Sequence, residues 1–390
     1  MLREQCGGLV QQTFDRHAAH TVQMLRCLIQ KGEIVPRQIE KGELALYKYN
    51  KVRYSFVELE AGEQQVLTSD PWSFLSSCLQ VRLNNTRGNN KAKIERAIYY
   101  SGLAEDFYRA AEVSPLPAKG ALLYYGMLDL VKCYLSLNDV PLESTHEHHG
   151  LVLPIGKEQT VEVKTKMKDA VNIFYEFTRL LGKPIAAGHE VRFEQAISHV
   201  PEVHSIYTSL GHSKKRKLLP IDIEFQVNET RDKLFTEIIY QKEQEAKVEV
   251  EKFLKGERKK YLREGYPRDN KIVYRAARRK SYNQDNIHRI YKNILSEYKK
   301  LDIVPILTKQ GYRYYVDLRP GDLPQLSYSL LAMFYLGSAA RYRPLEVKSL
   351  LEGELRPLVS EFVSLSPKQF LYQMVSLTTS KECVIPFAAI

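Results

Sequence analysis

Between Ala118 and Gly150 the chain reads AKGALLYYGMLDLVKCYLSLNDVPLESTHEHHG. From Ala121 to Leu137 the apolar residues fall on most sides of a helical wheel instead of along one stripe. A helix of that kind has no face for water and belongs at the centre of a bundle. The rest of the chain must therefore supply amphipathic helices to enclose it. The stretch opens after a proline-broken loop, SPLPAKG, and closes on a polar loop with three histidines.

Candidates for the enclosing helices are present. NNKAKIERAIYYSGLAEDFYRAAEV puts Ile94, Ala97, Ile98, Ser101, Ala104 and Tyr108 on one face, with Asn89 or Asn90 as cap. Trp72 to Cys78 begins the helical part, after Ser69-Asp70-Pro71. Further helices are expected at Ala170–Leu181, at Phe193–Leu210 with Pro201 breaking it, and at Ile287–Tyr298. Apolar helices at Gln325–Ala340, Glu361–Leu365 and Lys368–Leu377 close the chain. The uncharged run Leu323–Ala340 holds Pro324, Gln325 and three serines, so it reads as a buried helix and not as a membrane span.

Strand signals are shorter. LALYKYNKV and RYSFVELE suggest a pair, following an amphipathic helix at Leu9–Gln30. LVLP and TVEVKTK suggest two more, SKKRKLLPIDIEFQVNE alternates as a strand, and DIVPILTKQGYRYYVDL reads as a hairpin turning at Lys309-Gln310-Gly311. Thr230–Leu262 is expected to be a long charged helix, because Glu243/Lys247 and Glu251/Lys255 sit four apart in the favourable order. The fold class expected is α+β and mainly α-helical: a helical-bundle core, small β elements and a basic helical insertion. The divisions expected are 1–70 (a helix and a strand pair), 71–212 (helical core), 213–322 (basic insertion) and 323–390 (helices completing the core).

The 390 residues carry a formal charge of +11. Between Lys255 and Lys300 stand fifteen Lys/Arg against Glu257, Glu264, Asp269, Asp285 and Glu297, which accounts for nearly the whole excess. The start, MLREQCGGLVQQTFDRHAAH, lacks a secretory signal pattern. The five scattered cysteines (Cys6, Cys27, Cys78, Cys133, Cys383) read as reduced core thiols of a cytoplasmic protein.

YYSGLAEDFYRAAEVSPLPAKGALLYYGMLDLVKCYLSL followed by HHG resembles the YaaC-like family of bacteria. EQAISHVPEVHSIY resembles that family's short helix followed by Pro and Tyr, and LSYSLLAMFYLGSAARYRP its closing apolar helix ending in Arg-Tyr. The resemblance spans Trp72 to Leu377, most weakly over Ser213–Leu301. It implies a fold and a prokaryotic origin, and it implies no activity.

Four sets of residues could carry chemistry. His146 and His148, with His149, Glu143 and Glu147, could hold a metal, but HExxH spacing fails at Gly150. His149 could be catalytic; it could equally cap the preceding helix while Gly150 supplies a positive φ. Arg192 and His199 have the R-x6-H spacing of metal-independent HEPN-type ribonucleases, a cheap pattern in which the histidine is the general acid or base. Glu162-Val163-Lys164 matches half of a metal-dependent nuclease motif, and E-x-K recurs at Glu346–Lys348. No P-loop, GxGxxG, CxxC pair or GxSxG is present, so no cofactor is expected.

The basic run is the strongest signal. Tyr274, Arg278 and Tyr282 stand four apart, as do Arg275 and Arg279, and if Ile272–Tyr282 is helical this makes a cationic face interleaved with aromatics. The residues expected to contact nucleic acid are Arg268, Lys271, Tyr274, Arg275, Arg278, Arg279, Lys280, Tyr282 and Arg289: cations for phosphates, rings for bases. The same run could meet an acidic protein or simply face water. The function expected is a nucleic-acid-associated accessory subunit of a prokaryotic complex, with defence as one setting, binding DNA or RNA and not a membrane. A homo-oligomer is compatible with this. The alternatives are a ribonuclease and an assembly subunit without nucleic acid.

Overall fold

The helix that is apolar all round lies at the centre of a bundle, as its composition requires. The computed structural model describes residues 42–386, apart from 60–64, 89, 144–145, 167, 214–215, 257 and 267. The helix expected at Leu9–Gln30, with Cys6 and Cys27, lies outside the described residues. All that follows concerns the unit Glu43–Ile390.

Three helices begin the bundle: α1 (Pro71–Asn84), α2 (Asn90–Glu112) and α3 (Leu116–Leu137). The Asp70 carboxylate caps α1, accepting from the Trp72 and Ser73 amides at 3.1 Å each. Short helices α4 (Ile173–Leu180), α5 (Phe193–Ser198) and α6 (His204–Ser209) follow. A single-turn helix α7 (Arg258–Tyr261) and then α8 (Ile287–Tyr298) belong to the β-rich part, and α9 (Gln325–Tyr342), α10 (Pro344–Glu352) and α11 (Arg356–Thr379) return to the bundle. α3 packs against α2, α9 and α11. Every residue of α9 from Leu326 to Ala339 is buried, which makes it a second central helix. The two central helices cross closely: a Cβ on Gly337 would lie 2.9 Å from Ala121 Cα and 3.0 Å from the Gly120 carbonyl.

The second layer is an eight-stranded sheet: β1 (Glu43–Leu44), β2 (Leu218–Val227), β3 (Lys233–Gln241), β4 (Leu262–Glu264), β5 (Lys271–Ala276), β6 (Lys280–Ser281), β7 (Ile303–Thr308) and β8 (Gly311–Asp317). Its order is β4-β5-β3-β2-β8-β7, with β1 on β2 and β6 on β3, and every pairing is antiparallel. α8 lies on this sheet with Ile287, Ile290, Tyr291, Ile294, Leu295 and Tyr298 buried, a 3–4 spacing that was legible in the sequence. The described residues hold two apolar clusters, one inside the bundle and one between α8, the sheet and the Ala45–Leu59 segment. A two-residue parallel pair joins Val66–Leu67 to Cys383–Val384, so residue 384 is clasped beside the lead-in to α1.

The α+β, mainly helical class holds, but several elements differ from expectation. Thr230–Leu262 is not a long helix: it contains β3, two turns of 3-10 helix, α7 and the start of β4. Leu234–Tyr240 is buried at every position, and a fully buried strand shows no alternation to distinguish it from a helix. Ile272–Tyr282 is likewise not helical, because Ile-Val-Tyr enters β5 and pairs with β3. Ala170–Leu181 opens as a strand, Ala170–Asn172, paired in parallel with His146–His148. Its helix begins where the Asn172 side chain accepts from the Tyr175 amide at 2.9 Å. The expected break between Glu361–Leu365 and Lys368–Leu377 is absent: Pro367 stands inside α11, where buried packing on both flanks outweighs a cost of about 3 kcal/mol. In the first strand pair, Leu46–Tyr47 turns back on Asn50–Lys51, and the described residues of RYSFVELE add an isolated bridge, Arg53 to Glu224.

Candidate nucleic-acid interface

Strand geometry redistributes the basic run. Successive side chains of β5 point to opposite faces. Tyr274 stacks on Phe253 with ring centroids 4.5 Å apart, so its ring is occupied within the protein. Arg275 is buried and donates to Glu237 at 3.0 Å, while Arg268 donates to the same carboxylate at 2.6 Å and to Glu224 at 3.0 Å. Lys280 donates to Glu297 at 2.6 Å, and the Tyr282 hydroxyl accepts from Gln284 at 2.9 Å. Lys271 is half-buried in a bridge with Arg268. Arg258 is buried too, donating to the Phe253 and Asp317 carbonyls at 2.8 Å each.

Another subset remains at the surface. β4 is the edge strand, and its pairing sets Leu262 opposite Ala276 and Arg263 opposite Arg275. One residue further on, the Ala277 amide donates to the Tyr261 carbonyl at 2.7 Å. The Arg258–Arg263 segment thus runs beside Ala276–Arg279, carrying exposed Lys259, Lys260, Arg263, Arg278 and Arg279 to one edge. Lys300 joins them, its ammonium 5.8 Å from the centre of the Tyr261 ring. Arg279 also lies over Phe235 at 5.5 Å, and Arg289 is exposed on α8. Lys259, Lys260, Arg263 and Lys300 were in the same charge run but were not singled out, since only the β4–β5 pairing groups them.

The histidine loop is a strand followed by a tight turn. His148 Nδ1 accepts from the Gly150 amide at 2.9 Å, and Glu147 pairs with Lys132 at 2.7 Å. Among the described residues no three His, Cys, Asp or Glu side chains are grouped as a metal would need. Gly150 has φ +82°, and a Cβ there would lie 1.9 Å from Asn172 Oδ1, the oxygen that caps α4. His149 is 3.0 Å from the Tyr124 hydroxyl through Nδ1 and borders a cavity of about 410 Å³ with Arg341 and Arg343. Burial holds its pKa below the ordinary histidine value. Arg341 donates to the Tyr125 hydroxyl at 2.8 Å, and Arg343 to the Pro154 carbonyl at 2.5 Å.

Arg192 and His199 flank the six-residue α5 at its two ends, with Arg192 exposed. Seven residues of helix span about 10 Å, so their spacing does not bring the two side chains together. Glu162 and Lys164 pair with each other. His199 turns inward: Nδ1 is 2.7 Å from Lys217 Nζ, Asp317 Oδ2 is 3.6 Å away, and the Tyr328 ring stacks on it at 4.3 Å. Lys217 and Asp317 belong to no motif; the β2–β8 pairing of Leu218 with Asp317 brings them together.

The residues that carry the sequence resemblance converge in this geometry. Tyr124 and Tyr125 of the LLYYGM helix meet His149 of the HHG step and Arg341 of the closing helix. The model of the YaaC-like protein family matches residues 59–378. The chain belongs to the YaaC-like family. The match runs through Ser213–Leu301, so the basic edge and every strand of the sheet except β1 fall within the family's span. No curated protein and no solved structure matches the chain. Among the described residues no helix is long and apolar enough to cross a membrane.

Proposed function

We propose that this YaaC-like protein binds DNA or RNA through the cationic edge of its sheet, as an accessory subunit of a prokaryotic complex in the cytoplasm. The observation that supports the reading is the β4–β5 edge, where Lys259, Lys260, Arg263, Arg278, Arg279 and Lys300 stand together. Cations along an edge neutralise successive phosphates and release counterions. Tyr266, exposed just beyond β4, is a ring that can stack on a base. The free thiols Cys78, Cys133 and Cys383 fit a reducing compartment.

Fluorescence anisotropy with labelled single- and double-stranded oligonucleotides tests the proposal. Binding is expected at low ionic strength, with log affinity falling against log salt at a slope of about −3 to −5 for four to six phosphate contacts. Reversing Lys259, Arg263 and Arg278 to Glu is expected to abolish it, while Lys348→Glu, at an exposed site on α10, leaves it unchanged. If no oligonucleotide binds at low salt, or if the triple reversal binds as well as the parent, the reading is wrong. A stoichiometric protein partner recovered without nucleic acid would then favour an assembly role.

A further inference from the structure

A cleft of about 400 Å³ opens between the bundle and the sheet, and the nucleic-acid reading makes no use of it. Gln373 of α11 lines it, is 1% exposed, and finds no partner for either amide atom among the described residues. A buried amide left without partners is destabilising, a penalty that a ligand's polar edge would relieve. Gln325, at the start of α9, lines the same cleft, and its Nε2 is also without a partner. Gln373 offers a donor and an acceptor side by side, the pattern that reads a flat amide-like ring edge, and Gln325 adds a donor. Tyr134, Leu326 and Leu377 supply apolar wall.

On the wall itself the charges balance, with Arg82, Lys183 and Lys299 against Glu58, Asp302 and Asp317. Its three carboxylates already have cations: Glu58 with Lys292 at 2.8 Å, Asp302 with Lys183 at 2.7 Å, and Asp317 with Lys217 at 3.5 Å. Arg82 and Lys299 line the cleft in addition, and Arg82 is bonded to the Thr378 carbonyl at 3.2 Å. Lys292 and Lys217 reach Glu58 and Asp317 from off the wall, so Arg82 and Lys299 stand in excess of the carboxylates. His199 stands at the wall with Nδ1 2.7 Å from Lys217 Nζ and 3.6 Å from Asp317 Oδ2. An ammonium has only protons to give, so when Nδ1 accepts from Lys217 the neutral ring carries its proton on Nε2. Gly321, also on the wall, comes close to that nitrogen: a Cβ there would meet the Tyr328 hydroxyl at 1.9 Å and Nε2 at 3.0 Å, so only a glycine fits beside the ring.

We propose that this cleft binds a mononucleotide-sized organic anion, with Gln373 and Gln325 reading the edge of a flat ring, His199 Nε2–H donating to an oxygen acceptor, and Arg82 and Lys299 attracting the anionic group. Titration calorimetry on the full chain tests this with the four common ribonucleoside 5′-monophosphates, their free nucleosides and inorganic phosphate. At least one monophosphate is expected to bind at millimolar concentration or below, with its nucleoside and inorganic phosphate each at least about tenfold weaker. Gln373→Leu should weaken that binding by about tenfold or more without lowering the melting temperature, because no protein hydrogen bond is lost. Arg82→Gln should weaken the monophosphate and leave the nucleoside unaffected. The proposal is overturned if no monophosphate binds, if inorganic phosphate binds as tightly, or if Gln373→Leu binds as the parent does. The Lys259/Arg263/Arg278 reversal should keep mononucleotide binding, so the cleft and the sheet edge stand or fall separately.

Discussion

Arg275 and Arg278 are three positions apart in one basic run, yet they answer to different physics. Arg275 is closed in against Glu237, which is 1% exposed, and its guanidinium lies over Phe235 at 4.3 Å. Arg275→Ala removes one of the two guanidinium partners of a buried carboxylate, Arg268 remaining, and urea denaturation should show a loss of about 1.5–3 kcal/mol. Arg278 is exposed, and Arg278→Ala should change stability by no more than about 0.5 kcal/mol while weakening oligonucleotide binding. Asp129 gives a second residue-level expectation. Burial pushes its pKa up from 3.8 to about 6, against the pull of Lys132. Above pH 4 the unfolded chain releases this proton while the folded chain keeps it until about pH 6, so stability falls as pH rises through that window. Asp129→Asn should flatten that part of the profile and gain about 1–3 kcal/mol at pH 7, as read from denaturation midpoints at several pH values.

At the scale of elements, the central crossing of α3 and α9 is set by glycine. Gly337→Ala places a methyl against the Gly120 carbonyl and should cost about 1–3 kcal/mol, visible as a lowered melting temperature with the helical signal intact. Much of this level was legible in the sequence. The all-round apolar character of α3, the 3–4 spacing of α8 and the hairpin at Lys309–Gly311 each followed from local pattern, because one neighbour or one turn decides them. β3 was not legible, since a strand buried on both faces carries no periodicity and its flanks are rich in helix-favouring Glu and Lys. The same limit governs the sites. Gly150 could be read as a positive-φ position from its place after a helix and loop. The Lys217–His199–Asp317 group could not, because three segments distant in sequence meet only through the register of β2 on β8.

For the whole molecule, the basic excess read from composition divides into two sets. Arg258, Arg268, Arg275 and Lys280 hold the sheet together, and the edge set stays exposed. The +10 of the run therefore overstates the charge that an approaching polyanion meets, and the measured salt slope should reflect only the edge residues. The parallel pair between Val66–Leu67 and Cys383–Val384 bears on how the chain is made. The Val66 amide donates to the Glu382 carbonyl at 2.9 Å, and the Tyr372 hydroxyl to the Thr68 carbonyl at 2.9 Å. During synthesis, α1, α2 and α3 leave the ribosome long before α9 and α11 exist to cover them, and the clasp closes only once residue 384 has emerged. Chains stalled so that only residues up to about 320 have emerged should be protease-sensitive and bind chaperones, and release of the full chain should bring protection of both halves in one step. Burial of the first half is thus timed by translation of the last.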